Sequence, residues 1–148
     1  YEVTTKGVPP GGEVPVDINL SAIDSGRVFY IIYYNFDKHD IRPGDARPEL
    51  DRVVNFMNNN PGVKVELTSH TDCRATNQYN ETLSKNRAIE AYSYIVGHGI
   101  HRDRLSYAWK GETQLTNECA DGVDCSEVKH QLNRRTEFKL NGYYNVPK

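Results

Sequence analysis

From Ser69 to Ala91 the chain reads Ser-His-Thr-Asp-Cys-Arg-Ala-Thr-Asn-Gln-Tyr-Asn-Glu-Thr-Leu-Ser-Lys-Asn-Arg-Ala-Ile-Glu-Ala, and Leu83, Arg87, Ala91 and then Ile95 recur at every fourth position. That spacing puts the four on one helical face. Arg87 is the exception there. A guanidinium keeps its charge, so among apolar neighbours it needs an acceptor, and its fixed fork suits a carboxylate. Asp72 ends the strand just before and is placed to lie near it. The two are expected to form a charge pair that holds a ligand carrying both an amine and a carboxylate.

The rest of the pattern supplies a frame for that pair. Val14–Leu20 alternates apolar and polar residues with a proline inside, which reads as an edge strand. Val28–Tyr34 is apolar throughout and rich in β-branched and aromatic residues, as expected of a central strand covered on both faces. It runs into the polar loop Asn35–Gly44, and loops at such strand ends are where open α/β sheets place ligands. Asp45 is a candidate N-cap for a helix whose apolar stripe is Leu50, Val53, Val54 and Met57. Val63, Val65 and Leu67 then alternate with Lys64, Glu66 and Thr68. Strand, helix, strand in this order predicts two parallel strands joined by a right-handed crossover. A second helix is expected over Gln78–His98, a third strand over Leu105–Lys110, a long polar loop over 111–130 and a last strand over Arg134–Leu140. Residues 1–13 read as linker, 14–140 as the domain and 141–148 as a polar tail.

The chain has 148 residues, enough for one domain with its own core. A net charge of −2 lacks the basic footprint that nucleic acid or an anionic membrane surface demands. No apolar run approaches the ~20 residues of a membrane helix, so direct insertion by this domain is not expected. The hydrophilic start is not a signal peptide, and a Pro/Gly-rich lead without Met reads as part of a longer precursor. Cys119 and Cys125 bracket a polar, glycine-containing turn where a small disulfide could close, implying an oxidising compartment. Two free thiols, or a metal site completed by His130, are the alternatives. Cys73, in a loop beside Asp72, reads as an exposed, unpaired and inert thiol. Tyr30, Tyr33, Tyr34, Tyr92, Tyr94, Tyr107 and Trp109 are assigned to the core rather than to a sugar platform.

The run His70-Thr-Asp72, then Tyr79-Asn80-x-x-Leu83-Ser84-x-x-Arg87-Ala88, Gly111-Glu112 and Asn133-Arg-Arg-Thr-Glu-Phe138 resembles the OmpA-like peptidoglycan-binding domain. Tyr34-Asn-Phe-Asp-Lys38 and Ile41-Arg-Pro43 resemble that family's opening strand and loop, and the likeness spans roughly residues 28–140. It implies an α+β fold of β-α-β-α-β-β order, a sandwich of one mixed sheet with helices packed on one face. It also implies a non-catalytic, cofactor-free domain that grips the meso-diaminopimelate of the peptidoglycan stem peptide and anchors an outer-membrane protein or envelope complex in the periplasm. By the same resemblance Asp72 receives the ligand ammonium, Arg87 clamps its carboxylate, and Arg134 is a third charge, while Arg135 braces the strand end. Asn35, Phe36, Asp37, Asn80 and Leu83 complete the ligand-binding set. Two departures stand out: Ala75 where the family has glycine, and Cys73. The cysteine-bracketed insert resembles a variant seen in Bacteroidota members.

Other functions are weaker. Ser69 and His70 are neighbours on a strand and point to opposite faces, and no nucleophile elbow is present, which argues against hydrolysis. A structural or interaction domain with a vestigial pocket is the alternative to ligand binding. A thiol-dependent enzyme would need more than one reactive sulfur.

Overall fold

The computed structural model describes residues 27–143; the strand expected over Val14–Leu20, the 1–13 linker and the end of the tail lie outside them. In chain order the described residues form β1 (Val28–Tyr33), α1 (Ala46–Asn59), β2 (Val63–Ser69), α2 (Asn77–Gly97), β3 (Leu105–Trp109), α3 (Glu127–Gln131) and β4 (Arg135–Tyr143). The strands make one mixed sheet in the order β1-β4-β2-β3. Strand β4 is antiparallel to both β1 and β2, while β2 and β3 are parallel. So β1 and β2 do run the same way, as the crossover demands, but the last strand is inserted between them. Helices α1 and α2 lie on one face, and the class is α+β with an OmpA-like topology.

Register explains the core. Cross-strand partners put Tyr30, Phe138, Leu67 and Tyr107 in one row and Ile32, Thr136, Ser69 and Trp109 in the next. Against these rows α1 buries Leu50, Val53 and Met57, and α2 buries Ala88, Ala91 and Ile95. The every-fourth-residue stripe of α2 therefore faces inward along its whole length, Arg87 included. Full burial of side chains such as Leu50, Leu67 and Phe138 contributes roughly 1.5–3 kcal/mol each.

Five expectations change. Strand β1 is the outermost strand of the described sheet, and only Ile32 and the following Tyr34 are buried in that segment. Tyr107 sits on the opposite edge strand and is 38 % exposed, because no strand covers β3 there among the described residues. The 111–130 loop carries a short helix, α3, whose N-cap Ser126 accepts a hydrogen bond from the Lys129 N–H. Asp45 precedes α1 but makes no side-chain cap, because the Arg42 guanidinium takes its carboxylate. Strand β4 also continues to Tyr143, past the expected end at Leu140.

Candidate functional site

The site lies where β2 and the start of α2 meet. Beyond Ser69 the chain stays buried through His70, Thr71, Asp72 and Cys73, then emerges into a tight loop. Ala75 sits at φ +80°, so the position that held glycine in the resemblance does adopt left-handed backbone and strains a Cβ. Thr76 caps α2 by accepting from the Tyr79 N–H. One turn in, the Asn80 amide donates to the Asp72 and Arg74 carbonyls and to Glu112, tying the loop to the helix. Gly111 closes the other side: a Cβ there would meet the backbone of Glu81 at 3.3 Å, and its N–H donates to Ser84 Oγ.

Arg87 is completely buried, and its acceptors are not what its fork suggested. Its Nε, Nη1 and Nη2 donate to the Lys38, His70 and Asn35 carbonyls at 2.8, 2.9 and 3.3 Å. No carboxylate lies within ion-pair distance of it among the described residues, so the expected direct Asp72–Arg87 pair is not formed. The Tyr34 ring lies 4.8 Å from the guanidinium and stands on a buried hydroxyl chain through Thr136 to Ser69. Burial depresses the Arg87 pKa to about 10, opposed by Tyr34 and Asp72, so it stays cationic at neutral pH. Each of its three nitrogens has a carbonyl acceptor, while no carboxylate among the described residues pairs with it directly.

Asp72 instead takes part in a ring of four charges. Its carboxylate accepts from Arg74 at 2.7 Å and from Arg134 at 3.2 Å. Both arginines also reach Glu127 of α3, at 3.0 and 2.9 Å. Burial works to raise the Asp72 pKa, but the Arg74 side chain and N–H, joined by Arg134, hold it below the ordinary carboxylate value. Arg134 donates further to the Tyr34 carbonyl and to Gln131, one turn beyond Glu127.

Between Arg87 and this ring runs a narrow cleft lined by Phe36, Asp37, Thr71, Asp72, Arg74, Ala75, Tyr79, Asn80, Leu83, Arg87 and Arg134. Its free volume is about 20 Å³, on the scale of a single water. Phe36 and Tyr79 form an exposed rim; the Tyr79 hydroxyl donates to Asp37, and Arg74 lies 4.0 Å over the Phe36 ring. Of the eight residues expected to bind ligand, seven line this cleft. Asn35 does not: it lends its carbonyl to Arg87 and turns its side chain to Arg42. A larger hollow of about 240 Å³ lies between β1 and α1, but the charges in its lining include Asp45, taken by Arg42, and the neighbouring Glu49 and Arg52, which pair with each other.

The family model for the OmpA family matches residues 33–129. The chain belongs to the OmpA family. It is 33 % identical over 92 residues to the peptidoglycan-associated lipoprotein of Haemophilus influenzae, covering 62 % of this chain and 60 % of that protein. With the peptidoglycan-associated lipoprotein of Pseudomonas aeruginosa it shares 32 % identity over 124 residues, 84 % of this chain and 70 % of the relative. A 35 % identical stretch of 111 residues, 74 % of this chain, matches 12 % of a protein named photosystem I P700 chlorophyll a apoprotein A2 from Gloeobacter violaceus. The chain thus spans about an eighth of the Gloeobacter protein, three fifths of the Haemophilus lipoprotein and seven tenths of the Pseudomonas one. Among solved structures, the peptidoglycan-associated lipoprotein of Burkholderia pseudomallei superposes with a TM-score of 0.68 at 18 % identity, over 76 % of this chain and 91 % of the other. The cell wall anchor of the type VI secretion system of Pseudomonas aeruginosa gives 0.60 at 22 % identity, over 76 % and 79 %. At these identities the likeness speaks for the fold.

The OmpA-family domain here is not an enzyme. Its Ser69 hydroxyl is spent on Thr136, and the His70 ring nitrogens have no hydrogen-bond partner among the described residues, so these two neighbours do not form a serine–histidine pair. Cys119 and Cys125 are joined in a disulfide, which leaves no thiolate for the metal alternative. Cys73 is buried rather than loop-exposed, and burial together with Asp121, Asp72 and Glu112 pushes its thiol up, away from reactivity. Arg135 braces the strand end through Glu137 and the Gln114 carbonyl.

The sequence reading of this OmpA-family site missed Thr71, Arg74, Tyr79 and Glu127. Arg74 and Tyr79 stood in the quoted run, and a cation two residues from a buried aspartate was a usable signal. Nothing local marked Glu127, which lies 53 positions from Arg74.

Proposed function

We propose that this domain binds peptidoglycan without covalent chemistry, through the diaminopimelate residue of the stem peptide, in the periplasm. The observation that carries the reading is Arg87: a buried, charged guanidinium satisfied only by neutral carbonyls, lining a cleft whose other wall holds Asp72. A ligand carboxylate entering there meets a cation already desolvated and without a direct carboxylate partner, which strengthens their attraction. An ammonium on the same ligand carbon meets Asp72 across the cleft. The relatives support this: several are named peptidoglycan-associated lipoproteins, and one structural neighbour is named a cell wall anchor. The disulfide fits an oxidising compartment. No described helix is long and apolar enough to cross a membrane. The domain is taken to span 14–140 with 1–13 as linker. Binding at one cleft is modest, and the repeating wall supplies avidity to a tethered parent.

The smallness of the free volume favours one competing reading, an interaction domain whose pocket is vestigial. Retention on purified sacculi separates the two. The wild-type chain is expected to be retained, with Asp72→Ala and Arg87→Ala lost while circular dichroism shows both folded; if both variants stay on the sacculi, the pocket reading is wrong.

A further inference from the structure

The Glu127 carboxylate is placed as a ligand carboxylate would be. It bridges Arg74 Nη1 at 3.0 Å and Arg134 Nη1 at 2.9 Å, both cleft-lining arginines that also hold Asp72. Yet its footing differs from that of Asp72. Asp72 is 4 % exposed and accepts a backbone N–H, whereas Glu127 is 60 % exposed and fixed only by the two side chains. Arg74, which spans the ring and leans on Phe36, is 32 % exposed. Exposed pairs of this kind are held weakly and exchange readily. The free volume, about 20 Å³, cannot take an α-amino carboxylate with these arms where they stand.

We propose that Glu127 is an internal stand-in for a ligand carboxylate: the distal carboxylate drawn into the cleft by Arg87 competes with it for Arg74 and Arg134, which line the same cleft, and Glu127 thereby sets the affinity and charge selectivity of the cleft. With Glu127 present, Arg74, Arg87 and Arg134 face Asp37, Asp72 and Glu127, and the walls suit a zwitterion of zero net charge. Without it the same walls carry one excess positive charge and favour ligands with a further carboxylate. The delivery device belongs to the insert. Glu127 opens α3 directly after the Cys119–Cys125 disulfide, and Asn133 pins that segment through Thr116 and Asn117.

The inference rests on the peptidoglycan reading of this cleft, and its test is built to fail separately. The probes are two synthetic stem tripeptides, one ending in meso-diaminopimelate and one ending in lysine, which keeps the ammonium and lacks the distal carboxylate. Calorimetric titration of the full chain and of Glu127→Gln, which leaves the Ser126 cap intact, is expected to show binding of the diaminopimelate peptide about 3- to 10-fold tighter in the variant, the penalty lifted when a carboxylate that occupies the arginines most of the time is removed. The lysine peptide is expected to gain nothing. Equal gains for both peptides, unchanged or weakened diaminopimelate binding, or no binding by either protein would each overturn the role given to Glu127. The peptidoglycan reading is judged apart from this, by loss of sacculus retention in Asp72→Ala and Arg87→Ala.

Discussion

On one wall of the cleft Arg74 and Arg134 share two carboxylates, Asp72 and Glu127; on the other, Arg87 hangs from three backbone carbonyls and meets none. The first wall is electrically closed and mechanically adjustable, since one of its anions is largely solvated. The second is electrically open and mechanically fixed, since every acceptor belongs to the chain itself. A cation can therefore be held in two ways: the second leaves it without a direct ion pair from the start, while the first offers its charge only when a carboxylate is exchanged away. The carbonyls come from the 35–38 loop and the end of β2, so Arg87 also holds the cleft's shape.

The sharpest way to break the contrast is Arg87→Lys. A single ammonium cannot span the Lys38, His70 and Asn35 carbonyls, so a loss of about 2–4 kcal/mol in denaturant unfolding is expected, with sacculus retention lost too. Stability within 0.5 kcal/mol of wild type, on the order of an ordinary surface change, would show that the carbonyl cage is incidental. Asp72→Asn attacks the other wall. It leaves Arg134, 5 % exposed, with the solvated Glu127 as its remaining direct counter-charge among the described residues, and a loss of about 2–3 kcal/mol is expected in the same measurement.

Acid probes the fixed wall from behind. The His70 carbonyl serves Arg87 while its ring is buried, and burial, with Arg135 adding to it and Glu137 opposing, lowers the ring's pKa to about 4. The unfolded chain binds that proton at about 6.5, so stability is full above pH 6.5 and declines as pH falls from there toward 4. A loss of about 1–2 kcal/mol between pH 7 and 5 is expected, and His70→Gln should flatten it; an unchanged slope in the variant would assign the effect elsewhere. The smallest change is Ala75→Gly, which relieves a Cβ held at φ +80° and is expected to raise stability by about 0.5–1 kcal/mol. A loss on that substitution would mean the loop is not strained.

The sheet and the two long helices were legible because they follow local rules: period-two alternation in β2, an every-fourth stripe in α2, and turn residues between them. The site was legible as a set but not as a wiring diagram. Arg87 and Asp72 were found from burial and charge, yet their pairing was misread, because backbone carbonyls leave no trace in side-chain chemistry and the nearer Arg74 was passed over. The separation of β1 from β2 in the described sheet depends on β4 arriving from a hundred residues away to insert between them, a non-local event with no signature in the strand itself. Glu127 was invisible for the same reason.

The stapled stretch ahead of β4 reaches the cleft's arginines through two side chains, Glu127 and Gln131, and adds nothing to the strand ladder. Whoever wishes to retune what this domain recognises can rewrite that appendage alone, as one changes a key's bit without recutting the lock's housing, and leave the hydrophobic interior untouched.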